Sequence, residues 1–239
     1  MKNWNCPESP SAVRRLFDRI STYYDFANQV LSLGLHHAWR RRLLSSLPTG
    51  QIRTALDVCT GTGALLGGLG RQGGLVCGLD FSRQMMNHVC KAGQRTNVRL
   101  TQGDALRLPF AANSFDITTA SFGVRSFTDL QAGLKEMQRV LKPGGTMAVL
   151  EFGRPESRWW RWAFSTYARV VIPLLGGAIS GTGKAYRYLT DTVLSFPCGD
   201  DFCEVVTLAG FERADFKPLS GGIVYLYLAR KPMEPSQFS

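Results

Sequence analysis

The sequence lacks the features of membrane-spanning, secreted and metal-binding proteins. It has no run of about 18 apolar residues, which a membrane-spanning helix requires, and its N-terminus has no apolar signal core. Its six cysteines form no C-x-x-C pair, and no histidines are grouped at metal-ligand spacing. We therefore predict reduced thiols, no metal site and a cytoplasmic protein.

Phosphate-binding motifs are also missing. The chain has no G-K-[ST] sequence, and the dinucleotide motif G-x-G-x-x-G is broken because Leu66 stands where its third glycine belongs. What is present is TALDVCTGTG at residues 54–63, an apolar strand that leads through Asp57 into a turn with Gly61 and Gly63. Glycines in such a turn let the backbone approach a ligand closely. The sequence therefore predicts a ligand site at the carboxyl edge of a parallel sheet.

The acids around this turn indicate which ligand it takes. Asp57 precedes the turn, and Asp80 ends a second apolar strand at residues 74–80. An acid at the second position can accept both hydroxyls of a ribose. Acids without a phosphate clamp suit an unphosphorylated nucleoside that carries a cationic amino-acid tail. We therefore predict S-adenosylmethionine, and another nucleotide in a Rossmann-like domain is the alternative.

Apolar strands alternate with helical segments along the chain, which predicts a parallel sheet. The predicted strands are residues 54–59, 74–80, 98–101, 115–120 and 146–152. The turn between residues 212–218 and 223–229 is too short for a crossover, so these two strands form an antiparallel hairpin at one edge. The pattern predicts an α/β fold, the Rossmann-like class I fold of S-adenosylmethionine-dependent methyltransferases with a seven-stranded sheet. A dehydrogenase would continue with parallel units instead.

The predicted domain organisation is a loose leader (1–10), a helical cap (11–47), the methyltransferase domain (48–231) and a C-terminal tail (232–239). Helices within the domain are predicted at 82–92, 129–141 and 200–209. A helical insertion at 154–198 follows the fifth strand and is rich in tryptophan and arginine. The insertion could cover the crevice, rest on lipid headgroups, or be an ordinary helical subdomain that packs its aromatic residues into the core.

The net charge of +10 is compatible with binding to nucleic acid, with an anionic membrane surface, or with solubility alone. Arginines concentrate at Arg40, Arg41 and Arg42 and in the stretch 154–162, where they alternate with tryptophans. We predict that both segments dock on anionic lipid, so that the protein associates peripherally with the membrane.

Two long segments resemble known signatures. They are YDFANQVLSLGLHHAW at residues 24–39 and RVLKPGG at 139–145, which continues to LEF at 150–152. Shorter matches are LPF, NSFD, YRYL, FP and LSGGIV, at 108–110, 113–116, 186–189, 196–197 and 219–224. With these motifs the chain resembles the quinone C-methyltransferases of menaquinone and ubiquinone biosynthesis, the UbiE/MenG type, over residues 13–231.

The resemblance implies C-methylation of a reduced prenylated quinone ring, of the demethylmenaquinol or phytyl-naphthoquinol type, in menaquinone, phylloquinone or ubiquinone biosynthesis. Its donor contacts fall on this chain at Thr62, Asp80, Phe81, Asp104, Ala105 and Ser121. Together with Asp57, Gly61 and Gly63 they form the predicted cofactor site. A turn aspartate that caps its own loop is the alternative for Asp104.

Arg125 is the first candidate for catalysis, because a cation in the loop after the fourth strand would stabilise the quinolate oxygen. The proton would go to water positioned by Arg125, to Asp129 or to His36. Asp129 is equally suited to capping a helix, and His36 has a structural alternative. For the substrate we predict contacts with Arg125 and with Tyr24, Tyr186 and Arg187, which also have structural alternatives.

Departures from the family pattern keep other functions in view. Ala27 replaces a methionine, Ala64 an acid, Ser126 an asparagine and Gly153 a serine. The alternatives are methylation of another small aromatic metabolite, or a non-catalytic scaffold in a quinone pathway. An RNA or DNA methyltransferase usually has [ND]-P-P-[YF] after the fourth strand, whereas this chain has SFG, so no nucleic-acid partner is expected. The sequence leaves open whether the chain forms a homodimer.

Overall fold

A seven-stranded sheet forms the centre of the computed structural model, which describes residues 9–48, 52–72, 74–91, 96–180 and 183–233. The strands are β1 Thr54–Val58, β2 Leu75–Asp80, β3 Val98–Gln102, β4 Phe115–Ser121, β5 Leu141–Phe152, β6 Ala214–Leu219 and β7 Val224–Arg230. Their order is β3-β2-β1-β4-β5-β7-β6, and only the pairings of β7 with β5 and β6 are antiparallel. The predicted fold is confirmed, and its ligand crevice lies where the order reverses between β1 and β4.

Helices cover both faces of this sheet. They are α1 Pro10–Ile20, α2 Tyr24–Leu31, α3 Leu35–Ser46, α4 Leu66–Gly70, α5 Arg83–Lys91, α6 Leu130–Val140, α7 Arg158–Thr166, α8 Ile172–Ser180, α9 Gly183–Ser195 and α10 Asp200–Leu208. A π-helical turn, Tyr167–Val171, joins α7 to α8, and short 3-10 turns occupy Val124–Ser126 and Ser220–Gly222. No helix in the described ranges combines the length and apolarity needed to cross a bilayer.

The helical cap consists of three helices. The first begins at Pro10, one residue before the predicted start of the cap at residue 11. Ser9 caps α1, since its hydroxyl accepts a hydrogen bond from the Ala12 backbone N–H, and Pro10 occupies the first turn. Chain turns separate α1 from α2 and α2 from α3, and Gly34 takes a φ of 77° at the second of them. The inner faces of α1 and α2 pack against α5 and α9, which brings the cap and the insertion together.

Strand β5 begins at Leu141, five residues before the predicted start at Thr146, so that boundary was wrong. Leu141 pairs with Phe115, and the register shifts before the regular pairing of Thr146 with Ile117. The segment 142–145, whose Pro143 and two glycines are typical of a turn that ends a helix, is therefore an irregularity inside the strand, with Gly144 at a φ of 73°. Its backbone also bonds to Lys231, because Gly144 N donates to the Lys231 carbonyl and Lys231 N to that of Gly145.

The core has a layer on each face of the sheet. On one face α6 and α10 pack against β4, β5 and β7, around fully buried Leu134, Phe202 and Tyr227. On the other face α3 and α4 pack with Trp39, Leu43 and other apolar side chains. Because both faces are covered, the central strands are almost continuously apolar. Helices α1 and α2 of the cap and α9 of the insertion instead contribute to a separate, smaller cluster with α5.

Candidate active site

The turn after β1 has a backbone that few residues adopt. Cys59 and Gly61 have φ values of 55°, and Gly63 has 81°. A Cβ placed on Gly61 would meet no atom within 4 Å, so open space lies above this turn. A non-glycine residue with positive φ is strained, and such strain concentrates at functional sites. The turn thus offers the close backbone approach that a ligand at this edge would use.

Asp57, in the last part of β1, stabilises this turn through hydrogen bonds. One of its oxygens accepts a hydrogen bond from the Thr60 hydroxyl and the other from that of Thr119, each at 2.7 Å. Burial raises the pKa of Asp57 to about 6, although the two hydroxyl groups oppose the shift. Since both oxygens bind groups of the protein, Asp57 ties β1, its turn and β4 together beneath the ligand crevice.

Asp80 lies beside the same turn at the end of β2. Its carboxylate accepts hydrogen bonds from the backbone N–H of Gly61 at 2.8 Å and of Ser82 at 2.9 Å. Burial raises the pKa of Asp80 to about 6, and these backbone donors oppose the shift. Each oxygen keeps acceptor capacity beyond these bonds. The structure therefore places Asp80 next to the open space above Gly61.

The cap reaches this part of the crevice through two carboxylates. The Thr62 hydroxyl donates a hydrogen bond to Asp25 at 2.8 Å, and the Ser82 hydroxyl donates one to Asp18 at 2.5 Å. Phe81 also meets the cap, because its ring lies edge-on to Phe17 with centroids 6.4 Å apart. Helices α1 and α2 are thus fastened over the glycine turn, and Thr62 and Phe81 face them.

The remaining predicted donor contacts lie at or just after the carboxyl ends of β3 and β4. Asp104 is exposed and accepts a hydrogen bond from the Leu106 backbone N–H at 2.9 Å, which is the turn geometry of the alternative interpretation. Ala105 is buried, and Ser121 is half-buried at the end of β4. Parallel pairing aligns these strand ends, so Asp80, Asp104 and Ser121 lie along one edge of the sheet.

A largely apolar cavity of about 430 Å³ lies between the cap, the end of β5 and the insertion. Its walls are mostly aliphatic and aromatic, and they include Leu31, Leu35, Trp39, Phe122, Phe152, Trp160, Phe164, Ile172, Leu189 and Val193. Trp39 joins the cap to the turn before β7 by donating to the Ser220 hydroxyl at 2.9 Å. The few polar groups in the walls are therefore the candidates for chemistry.

Arg125 is the most deeply buried cation of the cavity wall, with 3% of its surface exposed. Its Nη1 donates to the Glu151 carboxylate at 2.9 Å and to the Phe122 carbonyl, and its Nε has no partner among the described residues. Burial raises the pKa of Glu151, and the Arg125 charge opposes that shift. The Glu151 charge raises the pKa of Arg125 despite burial, so the guanidinium stays protonated.

Glu151 is the site residue that the sequence reasoning missed. It was noted only as part of the LEF signature, although an acid inside an otherwise apolar strand is itself a signal. Strand β5 lies between β4 and β7 in the sheet, and Glu151 is fully buried there. An unpaired carboxylate in such a position would be very unfavourable. A buried partner for Arg125 could therefore have been expected.

His36 lines the same cavity and is 6% exposed. Burial lowers its pKa to about 4, and the charge of Arg40 and the neighbouring His37 lower it further, so the imidazole is neutral at pH 7. The Ser32 hydroxyl donates to the Asn28 carbonyl at 2.6 Å and lies 2.7 Å from Nδ1 of His36. Because that hydroxyl proton is already used, Nδ1 carries the imidazole proton and Nε2 is the basic nitrogen.

The other predicted catalytic and substrate residues divide into two groups. Tyr24 lines the cavity, with its ring edge-on to Phe17. Asp129 does not line it; this exposed side chain caps α6 by accepting from the Ala132 N–H at 2.9 Å. Arg187 is exposed and is also absent from the cavity wall, and the side chain of Tyr186 lies outside the described residues. The structure therefore brings together Arg125, His36 and Tyr24.

One prediction about the basic surface was wrong. Arg41 and Arg42 are exposed, but Arg40 is buried and lines the cavity. Helix α3 turns by about 100° per residue, so three consecutive arginines cannot share one face. Arg40 follows the buried face of Trp39 and Leu43 instead.

Similar proteins match this chain along nearly its whole length. The sequence model of the "ubiE/COQ5 methyltransferase family" matches residues 6–231. A demethylmenaquinone methyltransferase of Corynebacterium kroppenstedtii is 36% identical over 94% of this chain and 96% of its own length. That of Bacteroides fragilis is 39% identical over 92% of both chains. A ubiquinone/menaquinone biosynthesis C-methyltransferase UbiE of Bdellovibrio bacteriovorus is 35% identical over 93% and 97%.

Solved structures with the same fold are more distant in sequence. A methyltransferase of Thermotoga maritima, described as S-adenosylmethionine-dependent, has a TM-score of 0.67 at 18% identity over 92% of this chain and 99% of its own. A phosphoethanolamine-type N-methyltransferase of Haemonchus contortus, solved with S-adenosylhomocysteine, has a TM-score of 0.66 at 16% identity, over 92% and 60%. At these identities the likeness supports the fold.

Proposed function

Because the chain belongs to the ubiE/COQ5 methyltransferase family and is an S-adenosylmethionine-dependent methyltransferase, we propose that it methylates a ring carbon of a reduced, prenylated quinone. Its relatives carry the names demethylmenaquinone methyltransferase and UbiE C-methyltransferase, which supports a naphthoquinol or benzoquinol ring. The observation that carries the proposal is the apolar cavity with a protonated, buried Arg125 in its wall. A phytyl-naphthoquinol is the phylloquinone variant of the same substrate class.

The donor fits the crevice beside the glycine turn. Asp80 would accept the two ribose hydroxyls, and Thr62, Phe81, Asp104, Ala105 and Ser121 would surround the nucleoside. The open space above Gly61 next to the Asp80 carboxylate supports this placement. Asp57 would act indirectly, since its oxygens already hold the turn. Bound there, S-adenosylmethionine supplies an electrophilic methyl group on a sulfonium, which departs as a neutral thioether.

The acceptor fits the cavity. A volume of about 430 Å³ accommodates a small aromatic ring and part of an isoprenoid tail between apolar walls. The ring would lie against Arg125, and Tyr24 would contact it from α2. Trp160 and Phe164 of the insertion would line the path of the tail.

The side chains of the cavity provide charge stabilisation and a base. A ring carbon becomes nucleophilic when the neighbouring hydroxyl loses its proton, and Arg125 would stabilise the resulting oxyanion in a water-poor site. Glu151 fixes that guanidinium, so little reorganisation is needed during the reaction. Nε2 of His36 would take the hydroxyl proton, because a neutral imidazole with its Nδ1 proton engaged can accept at Nε2. After methyl transfer the ring carbon would lose its proton to water, and the quinolate oxygen would regain the proton held by Nε2, so that one net proton leaves to solvent and the imidazole is neutral again.

Peripheral membrane association completes the proposal. Trp159 and Trp162 of α7 are 71% and 73% exposed, whereas Trp160 and Phe164 of the same helix line the cavity. A helix with aromatic residues on its outer face next to a cavity for an apolar ligand is suited to rest on lipid headgroups. The substrate tail would then enter the cavity from the bilayer.

The test is methyl transfer to a short-chain demethylated naphthoquinol kept reduced under anaerobic conditions. We expect the product to carry the donor's methyl on the ring carbon, as read by mass spectrometry and NMR. Arg125→Lys should lower kcat by about 100-fold, since it loses the fixed hydrogen bonds to the oxyanion. The exposed Arg187→Lys is the matched control and should retain activity.

Two outcomes would contradict the proposal. Turnover of unprenylated phenols in preference to quinols would identify another aromatic metabolite as the acceptor. Donor binding without turnover on naphthoquinols or benzoquinols would indicate a scaffold protein. The quinone profile of cells lacking the protein provides an independent check, because a demethylated quinone should accumulate in them.

A further inference from the structure

Arg40 is a buried cation without an anionic partner in the described part of the chain. It is 9% exposed, its Nε has no hydrogen-bond partner, and the described residues form neither a hydrogen bond nor an ion pair with its guanidinium. Its guanidinium lies over the Phe122 ring, whose centroid is 5.7 Å from Cζ. Buried charges are normally paired, because the loss of hydration is otherwise uncompensated.

The contrast with Arg125 shows what is missing. Arg125 lies over the Phe152 ring at 5.5 Å and has a dedicated carboxylate partner in Glu151. The rings of Phe152 and Phe122 are themselves in contact, with centroids 4.6 Å apart. Two guanidinium groups therefore border one aromatic pair in the cavity wall, and among the described residues only Arg125 has a carboxylate partner.

Arg40 lines the cavity, and its guanidinium lies over the ring of Phe122, in the loop after β4. That loop packs against the turn after β1, where Gly123 meets Cys59. The Arg40 charge opposes the burial that raises the pKa of Asp57 and adds to the burial that lowers the pKa of His36. Asp57 does not serve as its partner, because the carboxylate oxygens bind Thr60 and Thr119. The guanidinium thus faces the place where the two proposed ligands would meet.

We propose that Arg40 binds the carboxylate at the amino-acid end of the methyl donor. This inference rests on the proposed donor site, in which Asp80 fixes the adenosyl end at β2 and the amino-acid end extends past the turn after β1. An α-carboxylate is ionised at neutral pH, and a guanidinium fork matches it with two parallel hydrogen bonds. The donor would thereby complete the charge balance of the cavity when it binds.

A ring oxygen of the acceptor is the other anionic oxygen that could reach this place. The carboxylate is favoured because Arg125 already provides a fixed cation for the ring oxygen. The two sources differ in the ligand that carries them, so binding measurements with donor analogues separate them.

The experiment is calorimetry of the full chain with S-adenosylhomocysteine and with 5′-methylthioadenosine, which keeps the adenosine and the sulfur but lacks the amino-acid end. Arg40→Gln should weaken S-adenosylhomocysteine binding by about 10- to 100-fold, as expected for loss of a charge-assisted pair. Its affinity for 5′-methylthioadenosine should stay at the wild-type value. Arg40→Lys should give an intermediate loss, because it keeps the charge but not the fork.

Arg41→Gln is the matched control, since this exposed neighbour on α3 should leave both affinities unchanged. A urea titration without ligand provides a second readout. Arg40→Gln should unfold at the wild-type urea concentration or above it, because the substitution removes an unpaired buried charge. Unfolding at a lower concentration would show that Arg40 has a structural partner and would overturn the assignment.

Equal loss of affinity for both nucleosides, or no loss for either, would also overturn it. A higher KM for the quinol with unchanged S-adenosylhomocysteine affinity would assign Arg40 to the acceptor oxygen and reject the donor carboxylate. Failure of the proposed function looks different: the wild type would then bind S-adenosylhomocysteine with the predicted Arg40 dependence but would methylate no quinol.

Discussion

At the residue scale, the buried pair of Arg125 and Glu151 makes the cavity chemically useful. Glu151 is fully buried and accepts from both the backbone N–H and the side chain of Arg125. A pair of this kind contributes little net stability, because desolvation offsets the attraction, but it fixes where the cation lies. Its function is therefore expected to be positional.

Breaking this pair should destabilise the protein strongly. Glu151→Gln leaves the Arg125 charge buried without a counterion, and we expect a loss of about 3–5 kcal/mol in the free energy of unfolding. The double variant Arg125→Gln, Glu151→Gln should lose less unfolding free energy than the two single variants lose together, since no charge remains buried. Urea denaturation of the three variants measures this coupling. Additive losses would show that the two side chains act separately.

The raised pKa of Asp80 makes donor binding depend on pH. Only the ionised carboxylate can accept both ribose hydroxyls, and the pKa of Asp80 in the protein is about 6. Protonation therefore competes with the donor, so affinity should be level above about pH 6 and fall about tenfold per pH unit below it. Calorimetry with S-adenosylhomocysteine from pH 5 to 8 measures this dependence.

The titration of Asp57 has to be distinguished from that of Asp80 in this experiment, because the pKa of Asp57 is also raised to about 6. Asp57→Asn keeps much of the hydrogen bonding under the turn and removes that titration. The variant should retain the fall in affinity below pH 6, whereas Asp80→Asn should bind weakly at all pH values. An Asp57→Asn variant with a flat profile would assign the titration to Asp57 and contradict our assignment.

At the scale of elements, two loops have to pack against each other at the carboxyl edge of the sheet. A Cβ on Gly123, in the loop after β4, would approach the Cβ of Cys59, in the turn after β1, to 2.4 Å. Neither atom belongs to the far end of a flexible side chain. The glycine is therefore needed for space, and it lets the Arg125 loop and the donor turn lie together.

We expect Gly123→Ala to lower the free energy of unfolding by about 1–3 kcal/mol, as overpacking does in tightly packed regions. It should also weaken S-adenosylhomocysteine binding, since the turn that carries Gly61 has to shift. Gly67→Ala is the control: in α4 its Cβ would meet nothing within 4 Å, and a helical alanine should add up to about 1 kcal/mol. Equal effects of the two substitutions on unfolding and binding would refute this explanation.

Most elements could be predicted from the sequence, because their signals are local. Asp129 caps α6 and Ser82 caps α5, as the residue types indicate, and the strand periodicity located the sheet. The start of β5 could not be predicted, since Pro143 and Gly144 resemble a turn and only pairing with β4 keeps the segment in the sheet. That pairing is a tertiary contact, which local propensity does not encode.

The candidate site shows the same division. The glycine turn and Asp80 belong to one continuous strand-turn-helix-strand segment whose two strands are parallel neighbours, so their proximity could be predicted from the sequence. The pairing of Arg125 with Glu151 joins residues 26 positions apart and depends on the register of β4 and β5. Burial of Arg40 depends on which face of α3 meets the sheet. Three consecutive arginines do not indicate which of them lies on that face.

At the scale of the whole molecule, charge and exposed apolar area combine around the insertion. The chain carries a net charge of +10, and Leu33, Trp159, Trp162 and Leu174 are 85%, 71%, 73% and 67% exposed. Leu33 also lines the cavity. An apolar surface of this kind on a basic protein is typical of an interaction surface, and an anionic bilayer suits it because the substrate tail is lipid-soluble.

We therefore expect the protein to bind vesicles that contain anionic lipid, and to release them as the salt concentration rises. A double variant, Trp159→Ser with Trp162→Ser, should bind the vesicles more weakly and should methylate a long-tailed quinol more slowly. Its rate on a short-chain quinol in solution should be unchanged, since neither side chain lines the cavity. Cosedimentation and a paired rate assay measure these effects.

The control is Leu208→Ser, which removes an exposed apolar side chain from the end of α10, a helix that packs against α6 and β6 rather than against α7. It should leave vesicle binding intact. If neither substitution weakens binding, net charge rather than the exposed tryptophans is responsible, because both variants keep the charge of +10. Equal weakening by both would show that exposed apolar side chains act regardless of their position and would contradict a specific role of the insertion. Binding to RNA that is tighter and more salt-sensitive than binding to vesicles would assign the basic surface to nucleic acid, because released counterions dominate such complexes. The exposed tryptophans favour the bilayer, since they place apolar rings where a nucleic-acid backbone would need cations.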